Sequence, residues 1–460
     1  MSTRRDDDVD STRFDAVVLG GGSAGLAFAK RAAGNGARIA LVEMDELGGT
    51  CVNRGCVPKK LLWHVAHTRR KEDMLVDSGH MLSMPRMDLG HVQDRIATHI
   101  EGIRDTYREA LDEAGVALVR GRAWVADRGT VEVERDDGPQ RIACERIVIA
   151  TGSEPMRADV PGGELAEVSN DVFSWREVPE RILIVGGGYI GIEFATIFSG
   201  FGSAVTLVDE GEEILEEFDS EAIGFVRERL NTGGVEFVMR TKLARIDRSQ
   251  EDGGADGLLA TLENGRTVPC DRILVAMGRD PRLAGLGEIV DGLERARNGS
   301  LDVSDSFETS EPGLYAIGDA ADRMPLTPVA KRDGEWLADR LFGDDPGARL
   351  DLGLVATVTY ADPPIAQVGR VGDKAEGLAV ERGEVSPLES GLSDGRLSET
   401  FFFKLLTEGE DGPLRGACLV SRTAANEISW AAAAVAAGLP KRSFSVPAAI
   451  HPSFTEEFIG

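Results

Sequence analysis

Residues Phe14 to Ala33 read FDAVVLGGGSAGLAFAKRAA: a buried strand, a glycine-rich turn and a helix in direct succession. Gly20, Gly22 and Gly25 form a G-x-G-x-x-G pattern. Such a tight turn brings backbone amides and the helix N-terminus up to a pyrophosphate. The next apolar run, ARIALVE, ends at Glu43, where a carboxylate can take an adenosine ribose hydroxyl. Glycines alone are a weak signal; strand, helix and acid together make it a strong one.

The unit occurs twice. RILIVGGGYIGIEFATIFSGFGSAVTLVDE, from Arg181 to Glu210, places Gly186, Gly188 and Gly191 before a strand closed by Asp209. Each acid stands 18 residues beyond the last glycine of its motif. Two such units imply an α/β fold with two Rossmann-like domains and two dinucleotides, an arrangement suited to electron transfer between them. RIVIATGSEP carries Thr151 and Gly152 after a strand, and RILVAMGRDP repeats the theme at Gly278. GLYAIGDAAD sets Asp319 after an apolar strand, where it would hold a polyol chain or simply form a turn.

The 460 residues exceed one hydrophobic core, and a 42% hydrophobic content fits a globular chain. No apolar run reaches 18 residues and none opens the chain, so neither a membrane span nor a signal peptide is expected, and the location is read as cytoplasmic. With 78 acidic and 51 basic side chains the formal charge is −27, which argues against nucleic acid or an anionic membrane as partner. The acids are spread along the chain, and a high-salt cytoplasm, hence a halophile, fits them best.

GGTCVNRGCVPKK, Gly48 to Lys60, holds Cys51 and Cys56 five residues apart. Zinc wants four Cys or His ligands at short spacings, and no second cysteine pair exists, so no metal is expected. A purely structural bridge would close a very small loop and stabilise little. A redox-active pair is the reading that remains, favoured by Lys59 and a helix start, both of which promote a thiolate. Cys144, Cys270 and Cys418 sit in apolar contexts and read as packing residues.

Taken in order, GGGSAG, GGTCVNRGCVPKK, ATGSEP, GGGYIGIE, AMGRDP, AIGDAAD, LTPVA and IHPSFTEE resemble the FAD-dependent pyridine nucleotide–disulfide oxidoreductases over nearly the whole chain. The resemblance implies that Gly20, Gly22, Ser23, Ala24, Gly25, Glu43, Gly49, Thr50, Thr151, Gly152 and Asp319 bind FAD. It implies likewise that Gly186, Gly188, Tyr189, Ile190, Gly191, Asp209 and Gly278 bind the nicotinamide cofactor, with Tyr189 as a swinging lid. Cys56 would be the thiol against the flavin, Cys51 the one that attacks substrate, and Lys59 with Glu193 an ion pair near the flavin. His451, oriented by Glu456, would protonate the departing thiol from across a homodimer interface. The implied domains are 1–160 and 276–345 for FAD, 161–275 for NAD(P), and 346–460 as an α/β dimerisation domain.

CVPKKLLW and LTPVA are nearer to glutathione reductase than to dihydrolipoamide dehydrogenase, the alternative function; the C-terminal cysteine pair of a mercuric reductase is absent. Lys30 and Tyr107 are candidate substrate contacts. Glu335 stands where the resemblance expects an arginine, with Lys331 and Arg332 read as lying on another helical face. That departure points away from oxidised glutathione and toward bis-γ-glutamylcystine as the small-molecule disulfide. DEGEEILEEFD after the second unit offers no arginine to a 2′-phosphate, so NADH is favoured over NADPH.

Overall fold

The computed structural model describes residues 13–77, 87–136, 138–250, 256–321, 323–386, 400–445, 451 and 453–459. The N-terminal twelve residues, His80, Asp322, Ile450 and Pro452 lie outside them, and with them the signal-peptide reading and parts of two motifs. The chain divides into two compact units, one of residues 1–59, 94–155 and 279–350, the other of 60–93, 156–278 and 351–460.

In the first unit, β1 (Phe14–Leu19) is apolar but for Asp15 because both its faces are covered, as in parallel sheets generally. It pairs in parallel with β2 (Ile39–Glu43) and β6 (Gln140–Ile149). β3 (Ala117–Arg120) extends the sheet beyond β2, and β17 (Leu314–Ala316) adds to β6. β4 (Ala123–Asp127) and β5 (Thr130–Val133) continue it antiparallel from β6. A two-stranded pair, β7 (Ser153–Pro155) with β16 (Arg279–Pro281), follows the strand ends. Helix α1 (Ser23–Gly34) leaves the glycine turn, and α8 (Thr327–Phe342) packs against it. The approach is so close that a Cβ on Gly334 would lie 2.5 Å from the Ala24 carbonyl. The short α2 (Gly49–Arg54) carries Cys51, and α7 (Glu288–Asp291) lies beside β4.

Two helices, α3 (Cys56–Asp77) and α4 (Leu89–Glu113), contribute residues to both units. The second unit repeats the nucleotide topology, with β8 (Glu167–Val168), β9 (Arg181–Val185), β10 (Ala204–Val208), β11 (Val235–Val238) and β15 (Arg272–Val275) in the order β11-β10-β9-β15-β8. Helix α5 (Tyr189–Phe201) is apolar nearly all round and buried accordingly, while α6 (Ser220–Thr232) begins at an Asp219 cap. A three-stranded meander, β12 (Leu243–Gln250), β13 (Asp256–Leu262) and β14 (Thr267–Cys270), packs on it. The C-terminal sheet is antiparallel: β18 (Thr357–Thr359), β19 (Ile365–Gly369), β22 (Leu414–Val420), β21 (Phe401–Thr407) and β20 (Ala379–Val385). Its apolar face is covered by α9 (Ala424–Ala437); α10 (Arg442–Ser445) and α11 (Glu456–Ile459) follow. Cys144, Cys270 and Cys418 lie buried in β6, β14 and β22, and burial pushes the first two thiols up to about 12. Among the described residues no helix is long and apolar enough to cross a membrane.

Candidate active site

The two glycine turns are built alike at their first and third glycines. A Cβ on Gly25 would meet the Gly20 carbonyl oxygen at 1.9 Å, and a Cβ on Gly191 the Gly186 oxygen at 1.9 Å. Gly20 and Gly186 adopt φ of 109° and 119°, the region L-residues avoid. Each lies against the residue that follows a central strand, Ala150 after β6 and Ala276 after β15, with a Cβ-to-oxygen distance of 2.4 Å in both cases. The acids match too. Glu43 Oε2 accepts the Gly21 N–H at 2.6 Å and Oε1 that of Asp45; Asp209 Oδ2 accepts the Gly187 N–H at 2.6 Å and Oδ1 that of Gly211. Glu43 and Asp209 therefore hold the turns open for a backbone approach.

In the first unit the cradle continues into a polar network that sequence reasoning missed. Ser153 Oγ donates to Asp319 Oδ2 at 2.6 Å, and Arg279 donates to Ser153 Oγ at 2.9 Å, to its carbonyl at 2.7 Å and to Thr50 Oγ1 at 3.3 Å. Beside it, Thr151 Oγ1 is buried without a hydrogen-bond partner. A buried hydroxyl left so is costly unless a ligand satisfies it. With a side-chain-free glycine turn and a helix N-terminus, these residues fit FAD.

The cysteines lie in this unit as a dithiol. The segment is not one helix, because Gly55, with φ −151° and ψ −117°, separates α2 from α3. A Cβ there would lie 2.9 Å from the Thr50 oxygen. Cys51 therefore rides on its own short helix and Cys56 opens α3. The Cys51 thiol is pushed far up, first by its hydrogen bond to the Cys56 sulfur and then by burial; Thr327 and Lys59 act the other way. Cys56 Sγ also stands 3.7 Å from Thr327 Oγ1. Tyr107 is half-buried close enough to feel the charge of Cys51.

Beyond α1 and α8 lies a groove of about 480 Å³ lined by Lys30, Arg31, Lys331, Arg332, Glu335 and Asp339, with Trp336 at its wall. Here the sequence reading of the helical faces is corrected. Lys331 Nζ and Arg332 Nη1 stand 3.9 and 4.0 Å from the Glu335 carboxylate, because i+4 and i+3 neighbours share a helix face. Arg31 is held by Asp339 through two hydrogen bonds, at 2.6 and 2.9 Å.

In the second unit, Glu193 is buried on α5 and its Oε1 accepts the Tyr360 N–H at 3.0 Å; Tyr189 opens α5 and is exposed. At the C-terminus, His451 Nδ1 lies 2.8 and 3.1 Å from the two Glu456 oxygens, while 81% of its side chain stays exposed. Glu456 is held below the ordinary carboxylate range, chiefly by His451 and then by the Ser453 N–H. Among the described residues no cluster of His, Cys, Asp or Glu is arranged to hold a metal ion.

Residues 14–334 match the family described as pyridine nucleotide-disulphide oxidoreductase, and residues 355–459 its dimerisation domain. The chain is 33% identical over 466 residues to a glutathione reductase of Nostoc sp., covering 97% of this chain and 98% of the relative. It is 34% identical to a glutathione reductase of Burkholderia cepacia, with coverage of 97% and 98%, and 30% identical to a dihydrolipoyl dehydrogenase of Geobacillus stearothermophilus, with 96% and 94%. Among solved structures, the Cu(II) complex of the HOCl-induced flavoprotein disulfide reductase RclA from Escherichia coli shares its fold at a TM-score of 0.84 and 24% identity, covering 97% of this chain and 98% of that one.

Proposed function

The chain belongs to the pyridine nucleotide-disulphide oxidoreductases and is a disulfide reductase; from that membership we propose that it carries electrons from NADH to a small disulfide bearing γ-glutamyl ends, bis-γ-glutamylcystine above all. The observation that carries the reading is the Cys51–Cys56 pair, its two sulfurs close enough to hydrogen-bond, in the same unit as the first glycine cradle. Bound FAD supplies the two-electron step between nicotinamide and disulfide. The segments 1–160 and 276–345 would hold it, 161–275 the nicotinamide cofactor, and 346–460 the homodimer contact.

The thiol steps follow from thiol–disulfide exchange. As Cys51 attacks one substrate sulfur, its proton passes to His451 of the partner subunit, and a mixed disulfide forms while the first substrate thiolate leaves. That imidazolium then protonates the leaving thiolate. The Cys56 thiolate next attacks the Cys51 sulfur, closing the Cys51–Cys56 disulfide and releasing the second substrate thiolate, which takes its proton from water. Glu456 orients the ring and stabilises its charged form. The high exposure of His451 within its own chain agrees with such work across an interface.

Two observations support the finer choices. Around the β10 end the cations are already engaged: Arg240 with Glu212 at 3.0 Å, Arg227 with Glu213 at 2.8 Å, and Lys242 with Glu210. A 2′-phosphate would meet carboxylates there, which favours NADH. In the α1–α8 groove, Lys30, Lys331 and Arg332 suit a carboxylate, and Glu335 between them suits the neighbouring ammonium of a γ-glutamyl group. The test is nucleotide consumption by the flavin-loaded dimer in molar KCl, with bis-γ-glutamylcystine, glutathione disulfide and lipoamide in parallel. Faster turnover of bis-γ-glutamylcystine with NADH supports the reading. Glutathione disulfide as the better substrate removes the assigned substrate, and lipoamide alone makes the chain a dihydrolipoamide dehydrogenase.

A further inference from the structure

The middle glycine of each nucleotide turn is held from outside the turn. Gly21 O accepts the Gly48 N–H at 2.8 Å in the first unit, and Gly187 O accepts the Leu215 N–H at 3.0 Å in the second. Both donors have a positive φ, 100° at Gly48 and 50° at Leu215. Glycine adopts that region freely, whereas in an L-residue the Cβ then crowds the following carbonyl. Among the described residues, three that are not glycine share this sign of φ: Leu215, Arg240 and Phe307. Two of them serve one loop, since the Arg240 N–H donates to the carbonyl of Gly211, four residues before Leu215. Strained backbone of this kind persists where packing over-determines it, and it gathers at ligand sites.

Burial supplies that packing. The Leu215 side chain is 1% exposed, and Ile214 and Phe218 of the same segment are buried with it. The Phe218 N–H closes back on the Leu215 carbonyl at 2.8 Å, and Gln367 Nε2 holds the Glu217 carbonyl at 2.8 Å. The contact at Gly187 also has a direction. The peptide joining Gly187 to Gly188 is planar and trans, so its N–H points opposite to its carbonyl. With the carbonyl turned to Leu215, the Gly188 N–H faces away from the 209–219 segment. Gly188 is the second glycine of its motif, the position at which backbone approaches a pyrophosphate. A Cβ built there would meet no atom of the described residues within 4 Å, so the approach is open.

We propose that Leu215 is a positioning residue for the nicotinamide cofactor: its buried side chain keeps the backbone left-handed, its N–H braces the Gly187 carbonyl, and the brace aims the Gly188 N–H at the pyrophosphate. The inference rests on the reading of the second turn as the nicotinamide cofactor's site. In the first turn a glycine, Gly48, does the same work without strain. The leucine therefore matters through its backbone conformation, and its side chain matters by holding that conformation.

The experiment compares wild type, Leu215→Ala and Leu215→Gly as flavin-loaded dimers. Calorimetric titration with ADP-ribose, which carries the pyrophosphate and no nicotinamide, gives Kd, and steady-state assays give kcat/KM for the disulfide. Alanine keeps the Cβ and loses the packing, so the backbone leaves the left-handed region. Its Kd is expected to rise roughly 5–30-fold, the population factor which that region costs an L-residue. Glycine keeps the conformation without strain, and its Kd should stay within about threefold of wild type. Packing alone predicts the opposite order, because glycine leaves the larger cavity. The disulfide's kcat/KM, which reports its own half-reaction, should be unchanged in both. If the alanine variant does not retain flavin, the glycine variant decides, since lost packing predicts that it fails as well. Wild-type affinity in Leu215→Ala, a glycine variant that binds no tighter than the alanine one, or equal losses in the disulfide half would each overturn the inference. A wild type that binds ADP-ribose but turns over no disulfide sinks the assigned substrate alone, since the variants are still ranked by binding. A wild type that binds no ADP-ribose sinks both.

Discussion

At the scale of single residues, the third glycine of each turn separates the two nucleotide sites cleanly. A methyl at Gly25 or Gly191 would sit 1.9 Å from a carbonyl oxygen of its own turn, so the turn must open, at about 1–3 kcal/mol or more. Gly25→Ala is therefore expected to purify with little flavin, measured as the 450-to-280 nm absorbance ratio. Gly191→Ala should keep its flavin and lose reduction by NADH; equal flavin loss in both would refute the assignment of the turns. For the C-terminal pair, His451→Ala should lower disulfide-driven turnover by ~10²–10⁴-fold, the usual contribution of a positioned proton donor, while anaerobic oxidation of NADH by the enzyme, without added disulfide, is unchanged. Glu456→Gln tests the orienting role through pH. A carboxyl group held below its ordinary 4.5 stays ionised as pH falls through that value, so the deficit of the variant relative to wild type should persist there instead of closing. These residues were legible because each sits in a motif with its own chemistry. Ser153 and Arg279 were not, although both lie in quoted motifs. Their role exists only where segments 126 positions apart meet over Asp319.

At the scale of elements, strands and helices flanking the glycine turns could be read because apolar runs and glycine spacing are local signals. What joins the elements could not. The cysteine segment shows a helix start in its sequence, yet the close approach of Gly55 to Thr50 makes it two helices, α2 and α3. Glu335 was placed apart from Lys331 and Arg332, although i+3 and i+4 spacing alone puts them on one face. The joint between α6 and the C-terminal sheet left no sequence signal at all. Asp219 caps α6 by accepting from the Glu221 and Ala222 N–H groups, and its carboxylate, 2% exposed, takes the Lys404 ammonium of β21 at 2.8 and 3.1 Å. Phe225 and Phe402 stack beside it at 4.9 Å. Lys404→Met leaves a buried carboxylate without its cation and should cost about 3–5 kcal/mol, read as a lower melting temperature. Lys404→Met with Asp219→Asn should recover part of that loss, since asparagine still caps the helix. No difference between single and double variants would mean that the ion pair contributes nothing to the joint.

At the scale of the whole molecule, the charge of −27 is the one property no single site explains. Arginines tie down many of the acids locally, as at Arg181–Asp271, Arg266–Glu236 and Arg272–Glu167, but 78 acids against 51 bases leave a surplus that repels itself in the compact state. Screening shortens that repulsion from a reach of about 10 Å in 0.1 M salt to about 3 Å in 1 M. The flavin-loaded protein is therefore expected to gain melting temperature steadily from 0.1 to 2 M KCl, steeply at first and more shallowly once neighbouring surface charges are screened. Sodium chloride at equal ionic strength should reproduce the curve, and sucrose at equal osmolality should not reproduce its steep low-salt part. The exposed ion pairs weaken under the same screening, but each contributes only about 0–1 kcal/mol and the surplus charge acts on the whole surface, so the rise should prevail. A melting temperature that is flat or falls with salt would show that local pairing dominates over net repulsion, and the high-salt reading of the composition would then be wrong.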